Sequence, residues 1–385
     1  MDKNIPLSVP NLNGNELKYV SNAISSGWVS TAGPYVEEFE EKLAKYVNAN
    51  GAVSCQNGTS GLHLALQAVG VKTGDLVFAP ALTFIAAVNP IRYLNANPIF
   101  IDCDESLGID PSSIEKFVMK YCTFDGIKLI YNKTSKVIKA IVVVHVFGNM
   151  ASMPEILKIA KKYNLKIVED ATEALGTYYI DGPLKGLFAG TIGDIGVFSF
   201  NGNKIITTGG GGMVVSNNDV YLKKIRYLST QAKDDALNFI HNEIGYNYRM
   251  TNIQAALGLA QLEQLEVFIE TKKANYKKYN KLLSPKIGNL IKFRGNIRAN
   301  YWFYTLLIKD TFKVIDLIRY LEQNDIQSRP IWSLINKQLP YQNEVSMPTP
   351  NAEMISKFGI NIPCSSNLTE VDVNTVVKAI NEYIK

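Results

Sequence analysis

Cysteine and histidine are the scarcest reactive residues in this chain, and their scarcity closes off several kinds of chemistry. Cys55, Cys103, Cys122 and Cys364 are the only cysteines in 385 residues. They are scattered, with no CxxC pair and no histidine at ligand spacing. That pattern argues against a disulfide framework and against a zinc site. His63, His145 and His241 are the only histidines and lie far apart. No resident metal is expected. The first residues, MDKNIPLSVPNLNG, carry no apolar signal core. No apolar run approaches the roughly 20 residues that span a bilayer. Repeats, low-complexity tracts and linkers are absent too. The 40 basic and 35 acidic residues read as mixed along the chain, with a net charge of +5 and no block that would track a phosphate backbone. These absences predict a cytoplasmic protein that partners neither nucleic acid nor membrane. The small positive excess suits an anionic small substrate.

What is present reads as a globular enzyme. Hydrophobic residues are 46% of the chain, enough to build a large core at this length. Tyr35 to Val47 sets Val36, Phe39, Leu43 and Val47 on one helical face. Apolar runs follow at Leu76 (LVFAP), Asn97 (NPIFID), Ala140 (AIVVVHVF), Lys166 (KIVED) and Ile195 (IGVFSF). Several are continuous, not alternating, as in strands of a parallel sheet covered on both faces. Helical stretches such as PEILKIAKKYN, from Pro154, lie between them. From Asn252 one long helical stretch runs to about Leu283. Beyond it come strand-like YWFYTLLI from Tyr301, helical DLIRYLEQND from Asp316 and a closing helix. The prediction is an α/β fold: a large domain over residues 1–265, including the N-terminal segment, and a smaller α+β domain over 266–385. GIKLIYNKTSKVIKA, from Gly126 to Ala140, reads as a small hairpin turning at Asn132–Ser135 ahead of a core strand.

Three segments hold the residues suited to chemistry. In NGTSGLHLAL, from Asn57, turn residues precede a helix, and Thr59 and Ser60 are N-cap types. Such a start either satisfies its own helix or offers N–H groups to an anion. In KIVEDATEALG, from Lys166, Asp170 falls just past a buried strand. Open α/β sheets place ligands there, although the same residue could cap the next helix. In GVFSFNGNKIITTGGGGMVV, from Gly196, Lys204 sits among small and apolar residues. The glycines at Gly209–Gly212 make a tight return between strands or a ligand loop. No GK[ST] follows, so this is not a nucleotide P-loop.

Taken in order, and with GYNYRMTNIQAALGLAQL from Gly245 and RPIW from Arg329, these segments resemble the DegT/DnrJ/EryC1 family of sugar aminotransferases over nearly the whole chain. The resemblance implies the fold-type-I architecture of pyridoxal-phosphate (PLP) enzymes. It implies that Lys204 forms the Schiff base with PLP and then serves as general base and acid. Asp170 would pair with the pyridine nitrogen, and Phe84 would stack on the ring. Thr59, Ser60 and Ser199 would bind the cofactor phosphate. Glu173 would lie near the ring hydroxyl, where many relatives carry Gln. Asn247 would reach the phosphate from the partner subunit with Arg249 beside it, giving a homodimer with shared sites. The chemistry needs these types. A protonated ring takes up carbanion charge, and an ionised aspartate keeps it protonated. The lysine must be nucleophilic at neutral pH, which burial among apolar groups near other cations promotes.

GWVSTAGPYVEEFE from Gly27, FIDCDESLGID from Phe100, VHVFGN from Val144 and RPIW are similar to the branch that aminates C4 of 4-keto-6-deoxy sugars. Legionaminic-acid and bacillosamine-type aminotransferases lie in that branch. It implies L-glutamate as donor and a UDP- or GDP-linked 2-acetamido keto-sugar as acceptor. A 3-aminotransferase and a perosamine-type enzyme are the alternatives. A related PLP dehydratase carries His in place of the lysine, so Lys204 argues against it. Against a non-catalytic PLP-binding or regulatory protein, nothing resembling a DNA-binding module is appended and all the catalytic residues the resemblance implies are present. Trp28 and Trp332 are candidates for the sugar-nucleotide cleft. Arg249 and Arg329 are candidates for a carboxylate or diphosphate, and His241 is a further substrate candidate. His63 reads as a packed core residue, and His145 as either core or site.

Overall fold

In the computed structural model, which describes residues 4–383, ten strands form one large sheet. Eight run side by side in the order Gly51–Cys55, Gly212–Ser216, Ile195–Ser199, Lys166–Asp170, Lys136–Val144, Leu76–Pro80, Asn97–Ile101, Val345–Ser346. Within this row only Gly212–Ser216 is antiparallel to its neighbours. The remaining neighbours pair parallel.

The continuous apolar runs are explained by burial on two faces. Along Ala140–Val144 all five residues are buried. Ala140, Val142 and Val144 enter one core cluster, and Ile141 and Val143 enter the other, on the opposite face. A strand alternates its side chains between faces, so a run without polar residues needs cover on both. Each valine or isoleucine of the run contributes roughly 1.5–3 kcal/mol relative to exposure.

The helix Asn252–Leu282 runs unbroken for 31 residues. It starts with a capping box, in which Thr251 accepts from the Gln254 N–H and Gln254 reaches back. Position 265 therefore falls inside this helix. Beyond it, Gly288–Leu290, Tyr304–Ile308, Gly359–Ile362 and Arg329–Pro330 form a second, antiparallel sheet. The chain crosses between the two units more than once. Ile5 bridges Ile326 and the Leu7 carbonyl accepts from the Cys364 N–H, so the N-terminal segment lies on the C-terminal unit. Val345–Ser346 returns to the edge of the large sheet. A linear division of the sequence does not show these crossings.

Two local details differ from the sequence expectation. The hairpin turns at Asn132–Ser135, but its return arm is not separate. Lys136–Ile138 pairs with Leu129–Tyr131 and continues directly into the core strand. The strand expected from Tyr301 begins at Tyr304. Tyr301 has φ +55°, which breaks the extended path. The residues Tyr301–Phe303 are thereby freed to approach the large domain.

Candidate active site

Parallel strands bring their C-terminal ends to one rim, the usual place for a ligand in an open α/β sheet. A cavity of about 360 Å3 lies there, with Val144, Asp170 and Ser199 supplied by three strand ends. Asp170 is the last residue of its strand and is buried. Its side chain accepts the Thr172 N–H at 3.0 Å. Burial raises its carboxyl above the usual range, against the opposing hydrogen bonds from Thr172 and the charge of Lys204. His145 sits behind it and is also buried. The His145 N–H donates to the Asp170 carbonyl at 3.1 Å. Its Nδ1 accepts the Ala151 N–H at 3.2 Å, which assigns the proton to Nε2, 2.8 Å from Glu169. Glu169 also gathers the N–H groups of Gly190, Ile192 and Gly193. His145 thus braces the floor of the cavity and does not line it.

Lys204 follows the Ile195–Ser199 strand in a turn, its N–H donating to the Asn201 carbonyl at 2.9 Å. The ammonium lies 4.3 Å from the Trp302 ring centre and 3.7 Å from Glu173 Oε1. The Trp302 indole N–H donates to the Asn203 carbonyl at 2.8 Å, which fixes the ring beside the lysine. The apolar neighbour expected for the lysine is present. The expected cations are not: among the described residues lining the cavity, Lys204 is the only cation. Its ionisable neighbours are carboxyl groups, because the segment after Asp170 turns back and delivers Glu173.

Glu173 is buried and accepts the Phe147 N–H at 2.8 Å. Burial pushes its carboxyl up to about 7, with Lys204 opposing. A group that binds its proton more tightly when folded makes stability fall as pH rises from the unfolded to the folded value. For Glu173 that window runs from 4.5 to about 7. The apoprotein is expected to lose up to about 3 kcal/mol of stability across it, at 1.36 kcal/mol per pH unit. Glu173→Gln should flatten this slope in thermal melts. An unchanged slope in the variant would show that Glu173 is already ionised below the window.

The anion end of the cavity is a helix start. Gly58 and Thr59 open the Gly58–Ala68 helix and line the cavity, as Ser199 does. Asn57 caps the helix, taking the Ser60 N–H at 2.8 Å, while its carbonyl takes the Gly61 N–H. Among the described residues no protein acceptor meets the N–H of Gly58 or Thr59. Position 58 is tight for any side chain, because a Cβ would lie 3.0 Å from both Ser199 and Thr172. Ser60 is placed differently from Thr59. Its hydroxyl faces Asn57 in the capping box, donating to the Asn57 carbonyl at 2.8 Å, and does not line the cavity. The cap consumes the group expected to meet a phosphate.

Phe84 and Trp332 both line the cavity, their ring centres 6.4 Å apart. Trp28, His241, Asn247, Arg249 and Arg329 line no part of it. Trp28 is exposed, with its carbonyl accepting from Asn252. His241 is exposed and its Nδ1 lies 2.8 Å from the Gln231 carbonyl. Arg329 is exposed on the small sheet. Asn247 is exposed, although the neighbouring Tyr248 carbonyl accepts the Gln56 N–H and the Arg249 carbonyl accepts from the Gln56 side chain. His63 is buried against Tyr93, Tyr246 and Tyr248, as packing.

Sequence reasoning missed the roof. Trp302 and Phe303 line the cavity from the C-terminal unit. Asn300 holds them there. It donates to the Glu173 and Leu175 carbonyls, both at 2.9 Å, and accepts the Trp302 N–H. Gly148 lets it approach, since a Cβ there would lie 1.8 Å from the Asn300 oxygen. Asn201 and Asn203 were missed as well. Their one sequence signal was proximity to Lys204.

A lysine facing a buried carboxylate, an aromatic ring beside them and a helix start with free N–H groups fit PLP. They define a PLP-dependent enzyme of fold type I. The model of the DegT/DnrJ/EryC1/StrS aminotransferase family matches residues 10–381. The GDP-perosamine synthase of Escherichia coli O157:H7 is 38% identical over 99% of each chain. The UDP-4-amino-4,6-dideoxy-N-acetyl-beta-L-altrosamine transaminase of Campylobacter jejuni is 33% identical over 97% of this chain and 95% of its own. A crystal structure of a DegT DnrJ EryC1 StrS aminotransferase from Brucella abortus superposes with a TM-score of 0.86 at 25% identity, covering 96% of this chain and 95% of that one. The chain belongs to the DegT/DnrJ/EryC1/StrS family of PLP-dependent sugar aminotransferases.

Proposed function

We propose that this enzyme moves an amino group from L-glutamate to C4 of a UDP- or GDP-linked 2-acetamido-4-keto-6-deoxyhexose. The product is a 4-amino-4,6-dideoxy sugar of the kind that legionaminic acid synthesis uses. The supporting observation is the cavity lining. Asn201 and Asn203 offer amide donors and acceptors, and Trp302, Phe303 and Trp332 offer aromatic faces, a combination that suits a sugar ring. PLP, when bound, supplies an electron sink for the amino-group carbon. Asp170 holds a proton on the ring nitrogen, and Lys204 moves protons at the reacting carbon. The Gly58 and Thr59 N–H groups with Ser199 hold the phosphate.

The Campylobacter relative is named for a sugar with its amine at position 4. The relative from E. coli favours a second reading, a GDP-linked perosamine-type product. A panel of UDP- and GDP-linked keto-sugars with glutamate, with the new amine located by NMR, separates them. Because distant contacts position the reacting carbon, the sugar freed of its nucleotide is expected to react at least about a hundredfold more slowly. Amination at C3, or preference for a simple 2-oxo acid, would overturn the assignment.

The working unit is proposed to be a homodimer with shared sites, acting in the cytoplasm, where its four free thiols stay reduced. Lys204 is the only cation among the described lining residues, which supports a reading in which further cations reach the cavity from a partner subunit. Arg249 keeps a buried Nε without a hydrogen-bond partner. The short hairpin of Lys233–Asp235 and Ile240–His241 exposes Leu237 by 85%, and the segment after it exposes Ile244 by 84%, both of which a partner would cover. Mixing inactive Lys204→Ala chains with inactive Asn247→Ala or Arg249→Ala chains should restore roughly a quarter of wild-type activity, by random pairing with one intact site per mixed dimer. No recovery, with subunit exchange confirmed by mass, would place both functions in one chain.

A further inference from the structure

The positive charge of this chain is concentrated in space. Residues 111–163 hold nine of the 40 basic residues, all lysine, and three of the 35 acidic ones. The rest of the chain is left with 31 basic and 32 acidic residues. Whole-chain mixing therefore hides one basic block. Lys116, Lys120, Lys128, Lys133, Lys158, Lys161 and Lys162 are exposed.

The fold draws these lysines onto one face. The helix Pro111–Tyr121 packs beside the helix Met153–Tyr163. The Cys122–Tyr131 hairpin arm closes over their ends. Phe124 meets Tyr163 edge-on at 5.7 Å, and Asn164 donates to the Ile127 carbonyl at 3.1 Å. Lys120 and Lys133 line one shallow groove with Tyr121 and Tyr131. Between the lysines, Met119 is 74% and Ile127 is 69% exposed, and Phe124 is exposed beside them. Asp125 accepts the N–H groups of Ile127 and Lys128 within its own turn, and with Glu115 and Glu155 it offsets three of the nine lysine charges, leaving a surplus of six.

We propose that this face rests on a membrane surface rich in anionic lipid, with Met119, Phe124 and Ile127 entering the headgroup layer and the lysines meeting lipid phosphates. Apolar tips ringed by lysines are what a peripheral surface needs. This is resting on a bilayer, not crossing it, and among the described residues no helix is long and apolar enough to cross. A second copy of the chain is a poor occupant, because a two-fold contact would set lysine against lysine. The absence of arginine from the block disfavours a partner that demands fixed bidentate geometry and suits mobile headgroups. The orientation is also compatible with turnover. The hairpin pairs with the N-terminal end of Lys136–Val144, whereas the cavity lies at Val144. A docked enzyme would keep its active site open to solvent.

The test is co-sedimentation of the full-length, PLP-loaded enzyme with vesicles. Phosphatidylcholine containing about 30% phosphatidylserine should carry the enzyme down at low salt, and binding should weaken as ionic strength rises. Pure phosphatidylcholine should leave it in solution. Lys116→Glu/Lys120→Glu/Lys128→Glu should weaken vesicle binding by about a hundredfold or more. Met119→Ser/Ile127→Ser should weaken it by about tenfold with the salt dependence kept. Both variants should retain normal turnover and circular dichroism. Absence of sedimentation with anionic vesicles, or equal sedimentation of the charge-reversed variant, would overturn the proposal. Capture by polyglutamate without vesicle binding would also overturn it, and would assign the face to an acidic polypeptide.

Discussion

Replacing Lys204 with alanine is expected to lower turnover by at least about a thousandfold, within the range that a positioned general base supplies. The variant should still fold, because the Lys204 side chain lies in the cavity and its local backbone bond, to the Asn201 carbonyl, does not involve the side chain. It should still hold PLP without a covalent bond, through Gly58, Thr59, Ser199 and Asp170. Borohydride treatment followed by mass spectrometry should add the cofactor mass to the wild-type chain and not to the variant. The substitution also removes the cation 3.7 Å from Glu173. Since Lys204 holds the Glu173 carboxyl down against burial, its loss should raise that carboxyl further. The stability slope of the apoprotein should then extend to higher pH. Near-normal amination by the purified variant would move the covalent and proton-transfer roles to another residue.

Asp170→Asn is the second large effect, a loss of about 10²–10³ in kcat, the size found when a key electrostatic group is removed. The substitution keeps the shape. An asparagine oxygen can still accept the Thr172 N–H, and the His145 N–H binds the Asp170 backbone carbonyl, not its side chain. What disappears is a buried charge. Burial is the largest influence on this carboxyl and opposes ionisation, so the apo variant should be at least as stable as wild type near neutral pH. The combination of retained fold, retained cofactor and lost turnover distinguishes an electrostatic role from a structural one. An unchanged rate would show that the ring nitrogen does not depend on Asp170.

The large sheet was legible because continuous apolar runs such as Ala140–Val144 admit few arrangements besides burial on both faces. The long helix was legible as one uninterrupted helical stretch from Asn252 to about Leu283, and the structure adds the Thr251 and Gln254 cap that starts it. Lys204, Asp170, Thr59, Ser199 and Phe84 were found through collinear motifs, and the structure brings all five to one cavity. Ser60 faces Asn57 and not the cavity; a serine in the first turn of a helix can face a ligand or its own cap, and only local geometry chooses between them.

Local sequence, by itself, determined the class of fold and the residues suited to the central chemistry, because hydrophobic periodicity, caps and strand-end motifs act over short stretches of chain. Tertiary structure alone decided what surrounds them. Trp302 reaches Lys204 only because Asn300 bridges to carbonyls more than a hundred positions away, beside a glycine that leaves room for it. Glu173 becomes a group that titrates near neutrality only because the fold buries it beside Lys204. The lysines of residues 111–163 become a surface only when two helices and a hairpin are packed side by side. Each of these depends on contacts between residues distant in sequence, and neither composition nor spacing records such contacts.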